Sequence, residues 1–137
     1  AAMETDDRFA DFRAAIGSVV HFQHYWADAD PDAVATWLAA APLIELALYR
    51  VKDASIHEAA QALLYERLAE TSPMLGGARL RADGAAREVG DLLTWRSRAD
   101  WRETGTAMMA RPELAPFFAG AEASHVFALF ERDRPDG

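Results

Sequence analysis

The apolar positions along residues 43–131 alternate between the spacing of strands and the spacing of helices. The segment Leu43–Val51 is apolar on nearly both faces, as expected of a central strand that is covered on both sides. The predicted elements are strands at 43–51, 78–82, 88–96 and 125–131 and helices at 56–68 and from residue 98. This order predicts an α+β, ferredoxin-like βαββαβ domain over residues 43–137, with a four-stranded antiparallel sheet.

Local signals define the ends of several of these elements. Ser55 and Glu58 have the spacing of a capping box at the start of the first helix. Ser97 repeats this capping pattern at the start of the second helix. Asp83-Gly84 lies between the two middle strands, and this dipeptide favours a tight hairpin turn.

Residues 1–42 differ from the rest of the chain and are expected to form a helical extension. Helical spacing from about Asp6 predicts one helix. Asp30-Pro31 predicts the start of another, because aspartate caps free N–H groups and proline fits the first helical position. Residues 18–26 fit either a continued helix or a strand. Such an added layer would cover a pocket or extend a dimer contact.

The predicted strands are apolar on both of their faces. Ile44, Leu46 and Leu48 alternate with Leu43, Ala47 and Tyr49 along the first strand, and the last strand has the same character. Because the two helices of the predicted domain cover only one face of the sheet, the other face needs its own cover. Sheet-to-sheet pairing with a second copy predicts a homodimer, the dimeric α+β barrel. The alternative is that the N-terminal helices cover that face within one chain.

Composition narrows the range of partners and sites. The chain has 137 residues, which fits one domain, and its 14 basic and 22 acidic residues give a net charge of −8. This charge repels phosphate backbones, so a nucleic-acid partner is not expected. The absence of cysteine excludes disulfides and thiolate sites. No stretch is apolar for long enough to cross a bilayer, so no membrane partner is expected and the predicted location is cytoplasmic.

Residues 43–131 resemble the antibiotic biosynthesis monooxygenase-like family of the dimeric α+β barrel superfamily. Three segments carry this resemblance, and each combines apolar core positions with a few polar residues. They are Ile44 to Val51 (IELALYRV), Gly90 to Ser97 (GDLLTWRS) and Met108 to Phe118 (MMARPELAPFF). The resemblance covers about two thirds of the chain and consists mostly of core patterns. Residues 1–42 have no counterpart in the basic pattern of the family.

The resemblance implies a ligand cavity between the sheet and its helices. Strand residues that face the helices are then the candidates for catalysis, and aromatic and apolar residues of the second helical region are the candidates for substrate binding. The catalytic candidates are Glu45, Tyr49, Asp91, Trp95 and His125. The substrate-binding candidates are Trp101, Met108, Phe117 and Phe118. A buried carboxylate among them would have a raised pKa and could act as a base.

Structural roles are the alternative for the same residues. Glu45 could pair with an arginine such as Arg79, Arg81 or Arg96, and Asp91 could lie at a sheet edge. The aromatic residues could simply fill the core. The sequence leaves these alternatives open.

A histidine pair in His-Phe-Gln-His is the most distinct candidate metal motif in the sequence. His21 and His24 would share one side of a helix, as two metal ligands require, but would point to opposite faces of a strand. No third ligand stands at a familiar spacing, so no metal site is predicted and the pair is expected to pack with Tyr25 and Trp26.

The resemblance implies a cofactor-independent monooxygenase-like protein that acts on a small aromatic or polyketide-like substrate. Such enzymes use the substrate itself as the reductant, so no cofactor is expected. Haem degradation in this superfamily relies on an asparagine, and the chain contains none. The alternative is a non-catalytic dimeric module that binds a small apolar ligand or takes part in a stress response. In a third hypothesis the N-terminal layer, through Phe12, Trp26 or Trp37, fills the cavity, and the domain is an interaction unit only.

Overall fold

The computed structural model describes residues 23–71 and 74–132 as one α+β domain. Its elements follow the predicted order after a short additional strand and helix. The strands are β1 (Tyr25–Ala27), β2 (Leu43–Val51), β3 (Met74–Ala82), β4 (Ala85–Trp95) and β5 (Ala121–Glu131). The helices are α1 (Pro31–Ala40), α2 (Ala54–Thr71), α3 (Arg98–Met109) and α4 (Ala115–Ala119), with a 3-10 turn at Pro112–Leu114. No helix within the described residues is long and apolar enough to span a bilayer.

The strands form a single antiparallel sheet in the order β1-β3-β4-β2-β5. The order of β3, β4, β2 and β5 is that of a ferredoxin-like sheet. The described sheet has five strands and not the four predicted, because Tyr25–Ala27 pairs with Leu80–Ala82 at the outer edge of β3. Of the two alternatives for residues 18–26, the strand is therefore correct at 25–27, whereas 18–22 lie outside the described residues.

The turn and cap signals were correct in most places. Gly84 has φ +74° in the β3–β4 hairpin, a value that favours glycine. Asp30 and Ser97 cap α1 and α3 as predicted. The predicted capping box at Ser55 was wrong, because helix α2 begins two residues earlier than predicted, at Ala54, and the Asp53 carboxylate accepts the bond from the Ile56 N–H at 3.0 Å.

The two faces of the sheet have different covers. Helices α2 and α3 lie over the face that carries the odd-numbered residues of β2, and the main core fills the space between. Helix α1 contacts β3 on the opposite face, where the Trp37 ring lies against Gly76. A Cβ atom at Gly76 would lie 2.2 Å from Trp37 Cδ2, so this close approach requires glycine.

Part of this second face has no cover among the described residues. Cross-strand register places Ile44 opposite Phe130, Leu46 opposite Ala128 and Leu48 opposite Val126, and paired side chains share a face. The Phe130 side chain is 54% exposed. The prediction that the strands are apolar on both faces therefore agrees with the register and the residue types.

Candidate functional site

A cavity of about 310 Å³ lies between the helix-covered face of the sheet and the helices α2, α3 and α4. Most of its wall is apolar, and the polar groups are concentrated on the sheet side. The lining residues are Glu45, Ala47, Tyr49, Leu64, Leu68, Asp91, Leu93, Trp95, Trp101, Gly105, Met108, Phe117, Phe118, Ala121, Ser124 and Phe127. Phe118 and Phe127 are 41% and 57% exposed, which places them at its opening. This volume is at the lower end of the range of small-molecule sites.

Glu45 is the polar residue of the cavity wall that is best suited to acid–base chemistry. Strand alternation in β2 directs its side chain toward the helices. Its Oε1 accepts a hydrogen bond from the Trp95 indole N–H at 3.1 Å. Burial raises the pKa of Glu45, and the nearby Asp91 raises it further, whereas hydrogen bonds from Trp95 and Trp101 lower it. A carboxylate whose pKa is raised in an apolar site can accept a substrate proton near neutral pH.

Asp91 lies in a buried hydrogen-bond network at the same wall. Its Oδ2 accepts from the Tyr49 hydroxyl at 2.6 Å, and its Oδ1 accepts from Tyr65 at 2.7 Å and from Gln61 at 2.9 Å. All three donors are neutral, so they hold the carboxylate by hydrogen bonds without a countercharge. Burial, followed by the proximity of Asp91, raises the pKa of both tyrosines.

His57 extends this network on the side of helix α2. Its Nε2 lies 3.2 Å from the Tyr49 hydroxyl, and its ring stacks on Phe117. The side chain is buried, and Nδ1 has no hydrogen-bond partner among the described residues. Burial lowers the pKa of His57, so the ring is held in its neutral form. The Tyr49 hydroxyl therefore connects the cavity wall to a neutral imidazole behind it.

Of the nine residues proposed from the sequence, eight line the cavity. They are Glu45, Tyr49, Asp91, Trp95, Trp101, Met108, Phe117 and Phe118. The alternation of strands β2 and β4 brings the first four together on one face, and helices α3 and α4 supply the others.

His125 does not reach the cavity. The register between β2 and β5 shifts between Leu48 and Tyr49, so that His125 is an extra residue between Ser124 and Val126. This bulge directs it toward Glu88, whose Oε2 lies 2.8 Å from His125 Nε2. The expectation that His125 faces the helices was wrong, because simple alternation does not hold across a bulge.

The structure does not support the two structural roles considered for Glu45 and Asp91, which were an arginine partner and a position at a sheet edge. The arginines considered as partners of Glu45 bond elsewhere: Arg79 to Asp28, Arg81 to Glu58 and Arg96 to Asp100. Asp91 lies on β4, which has a strand on each side and is therefore not an edge.

Three network residues were missed by the sequence analysis: His57, Gln61 and Tyr65. They lie four residues apart on α2, next to an apolar stripe at Leu64 and Leu68. His57 is only 3% exposed. Their i, i+4, i+8 spacing was the available signal, but a polar stripe ordinarily indicates a solvated face.

The described aromatic residues of the N-terminal part leave the cavity open. Trp26 is exposed on β1, and Trp37 lies on the opposite face of the sheet. Phe12 and His21 lie outside the described residues. His24 is exposed and packs against Trp26, and no cluster of three potential metal ligands occurs in the part of the chain that the structure describes.

Comparison with known proteins gives a likeness in fold. No family model matches the chain, and no curated protein matches it. Two solved structures of SnoaB, a cofactor-independent oxygenase from Streptomyces nogalater, are similar at 14% sequence identity. One has a TM-score of 0.56 and covers 69% of this chain and 96% of SnoaB. The other, a mutant, has a TM-score of 0.53 and covers 67% and 93%. At this identity the chain shares the α+β fold of SnoaB, and the comparison shows the fold alone.

Proposed function

We propose that the chain is a cofactor-independent monooxygenase-like enzyme that oxidises a small, planar aromatic substrate in this cavity, with Glu45 as the general base. The observation that carries the proposal is a carboxylate of raised pKa in an aromatic cavity, fixed by the Trp95 indole. The fold shared with a cofactor-independent oxygenase supports the reaction class.

The reaction needs a substrate with an activated methylene and molecular oxygen as co-reactant. Glu45 takes one methylene proton, and the resulting carbanion gives one electron to oxygen. Substrate radical and superoxide combine into a peroxide anion, which recovers the proton from Glu45. Loss of the second methylene proton then cleaves the O–O bond, leaves a ketone and releases one molecule of water. The substrate supplies all the electrons, so the balance requires no further reductant.

The other cavity residues have defined places in this proposal. Trp95 orients the Glu45 carboxylate, and Tyr49 and Asp91 form the polar end of the wall. Trp101, Met108, Phe117 and Phe118 would hold the aromatic rings by burial of apolar surface.

Oxygen consumption with anthrone tests the proposal, because anthrone is a tricyclic aromatic ketone with one activated methylene. We expect the protein to accelerate uptake above the buffer rate. Glu45→Gln should lower kcat by about 10²-fold or more, as general bases typically contribute at least this much. Glu66→Gln, the same change at an exposed position of α2, should leave kcat unaltered.

Two results would count against the oxygenase. Anthrone that binds without accelerated oxygen uptake would favour the non-catalytic ligand-binding module. Full activity in Glu45→Gln would remove the proposed base.

We also propose that two copies pair through the uncovered sheet face. The apolar register pairs of β2 and β5 on that face support this, as does the 54% exposure of Phe130. Sedimentation equilibrium should give a dimer for the wild type and a monomer for Leu46→Asp. A monomeric wild type at micromolar concentration would contradict this assembly.

A further inference from the structure

The cavity wall carries negative charge without a countercharge. Glu45 and Asp91 both line it, and none of the lining residues in the described part of the chain is an arginine, lysine or histidine. The donors that hold these carboxylates are tryptophan, tyrosine and glutamine side chains, which are neutral. His57, the nearest basic side chain of the network, bonds through Tyr49 and lies behind the wall.

The basic groups near this cavity form ion pairs with other residues. Arg79 lies opposite Asp91 in the β3–β4 register and so shares its face of the sheet, but its guanidinium pairs with Asp28. Arg50 pairs with Glu88 at 2.7 Å. Arg98, at the start of α3, pairs with Glu131. These pairs are partly or largely exposed, so they do not offset charge inside the cavity.

We propose that the cavity selects its ligands by charge: it accepts uncharged or cationic planar aromatics and rejects aromatic anions. The inference rests on the proposed function in one respect, because it takes this cavity as the substrate site. It narrows the substrate class to aromatics without a free carboxylate. Two carboxylates repel an anion at short range, and the electron-rich faces of Trp101 and Phe117 favour positive charge.

This charge selectivity constrains the reaction that must come before binding in this cavity. A precursor that carries a carboxylate would have to lose or mask it before it could bind here. For such a precursor, the class of reaction that supplies the substrate is decarboxylation, or esterification or amide formation at that group.

Three naphthalene probes of nearly equal shape test the proposal. They are 2-naphthylmethanol, which is uncharged, 2-naphthylmethylammonium, a cation, and 2-naphthoate, an anion. Isothermal titration calorimetry at pH 7.5 should show 2-naphthoate binding at least about tenfold more weakly than the alcohol, since one charge interaction at an effective dielectric of 20 readily exceeds this factor. The cation should bind at least as tightly as the alcohol.

Variants locate the source of the preference. Glu45→Gln should reduce the difference between cation and anion several-fold, because one of the two carboxylates is removed. Glu66→Gln alters the net charge equally at an exposed site and should leave the difference unchanged. The order of the three probes on the wild-type protein decides the proposal even if Glu45→Gln does not fold.

Three outcomes overturn the inference. If 2-naphthoate binds as tightly as the alcohol, the carboxylates do not select against anions. If both ions bind weakly, desolvation sets the preference and the wall charge does not. If no probe binds, the cavity is not an aromatic site and the proposed function fails as well. A correct charge order without oxygen uptake from anthrone would overturn only the oxygenase.

Discussion

The Tyr49 hydroxyl joins the cavity wall to the buried histidine, and its removal should destabilise the fold. In Tyr49→Phe the ring still fills its place, but Asp91 Oδ2 loses the 2.6 Å hydrogen bond and His57 Nε2 loses its contact at 3.2 Å. Because His57 Nδ1 already lacks a partner among the described residues, the substitution leaves a buried imidazole with no hydrogen bond in this network.

The expected cost follows from these two losses. A hydrogen bond to a charged group contributes about 1.5–3 kcal/mol, and an unsatisfied buried polar group costs about 1–3 kcal/mol. Since the neighbours relax partly, we expect Tyr49→Phe to lower the free energy of unfolding by about 2–4 kcal/mol. Tyr65→Phe is the matched comparison. It should cost about 1–2 kcal/mol, because Asp91 Oδ1 keeps its bond from Gln61 and no histidine is affected.

Urea denaturation followed by circular dichroism measures both variants, with the free energy of unfolding extrapolated to water. Equal midpoints for the two variants, or a cost below about 0.5 kcal/mol for Tyr49→Phe, would refute the reasoning. Either result would mean that the network contributes little to stability in solution.

Three further predictions concern the helix on the second face, the buried carboxylate and a helix cap. Gly76→Ala should lower the free energy of unfolding by about 1–3 kcal/mol, because its Cβ would lie 2.2 Å from Trp37 Cδ2. This loss should vanish in a Trp37→Ala background, and an equal loss there would contradict the contact. Burial raises the pKa of Glu45, so the native state holds its proton more tightly than the unfolded state, and wild-type stability falls as pH rises from about 4.5 to the raised pKa. Glu45→Gln should therefore gain stability relative to the wild type as the pH rises through that window in urea titrations, by at most about 1.4 kcal/mol for each pH unit, and a constant difference would contradict this. Ser97→Ala should lower the thermal stability by about 1 kcal/mol through loss of the bond to the Asp100 N–H, and an unchanged Tm would count against the cap.

The order of the elements from β2 onward could be predicted from the sequence, because it follows from local patterns that tertiary contacts do not override. Leu43–Val51 is a strand with the predicted ends, and its alternation correctly places Glu45 and Tyr49 on one face. The added strand at Tyr25–Ala27 was harder to predict, because three residues carry little periodic signal and the pairing depends on the free edge of β3.

The candidate site was predictable to the extent that it depends on strand alternation. Glu45 and Asp91 follow this rule, whereas His125 does not, because a bulge depends on pairing with β2 and leaves no mark in the sequence of β5 alone. The burial of His57 was hard to predict for a different reason. A polar residue in the first turn of a helix is ordinarily solvated, and only the packing of Phe117 and Tyr49 around it shows that it is buried.

The central claim is that the space beside Glu45 is a binding site for a planar aromatic molecule. A crystal structure of the wild-type protein with 2-naphthylmethanol tests it most directly. We predict the ring system between Trp101 and Phe117, with the ligand hydroxyl within about 3.2 Å of the Glu45 carboxylate. A cavity closed by side chains, or a ligand found only outside it, would contradict the account.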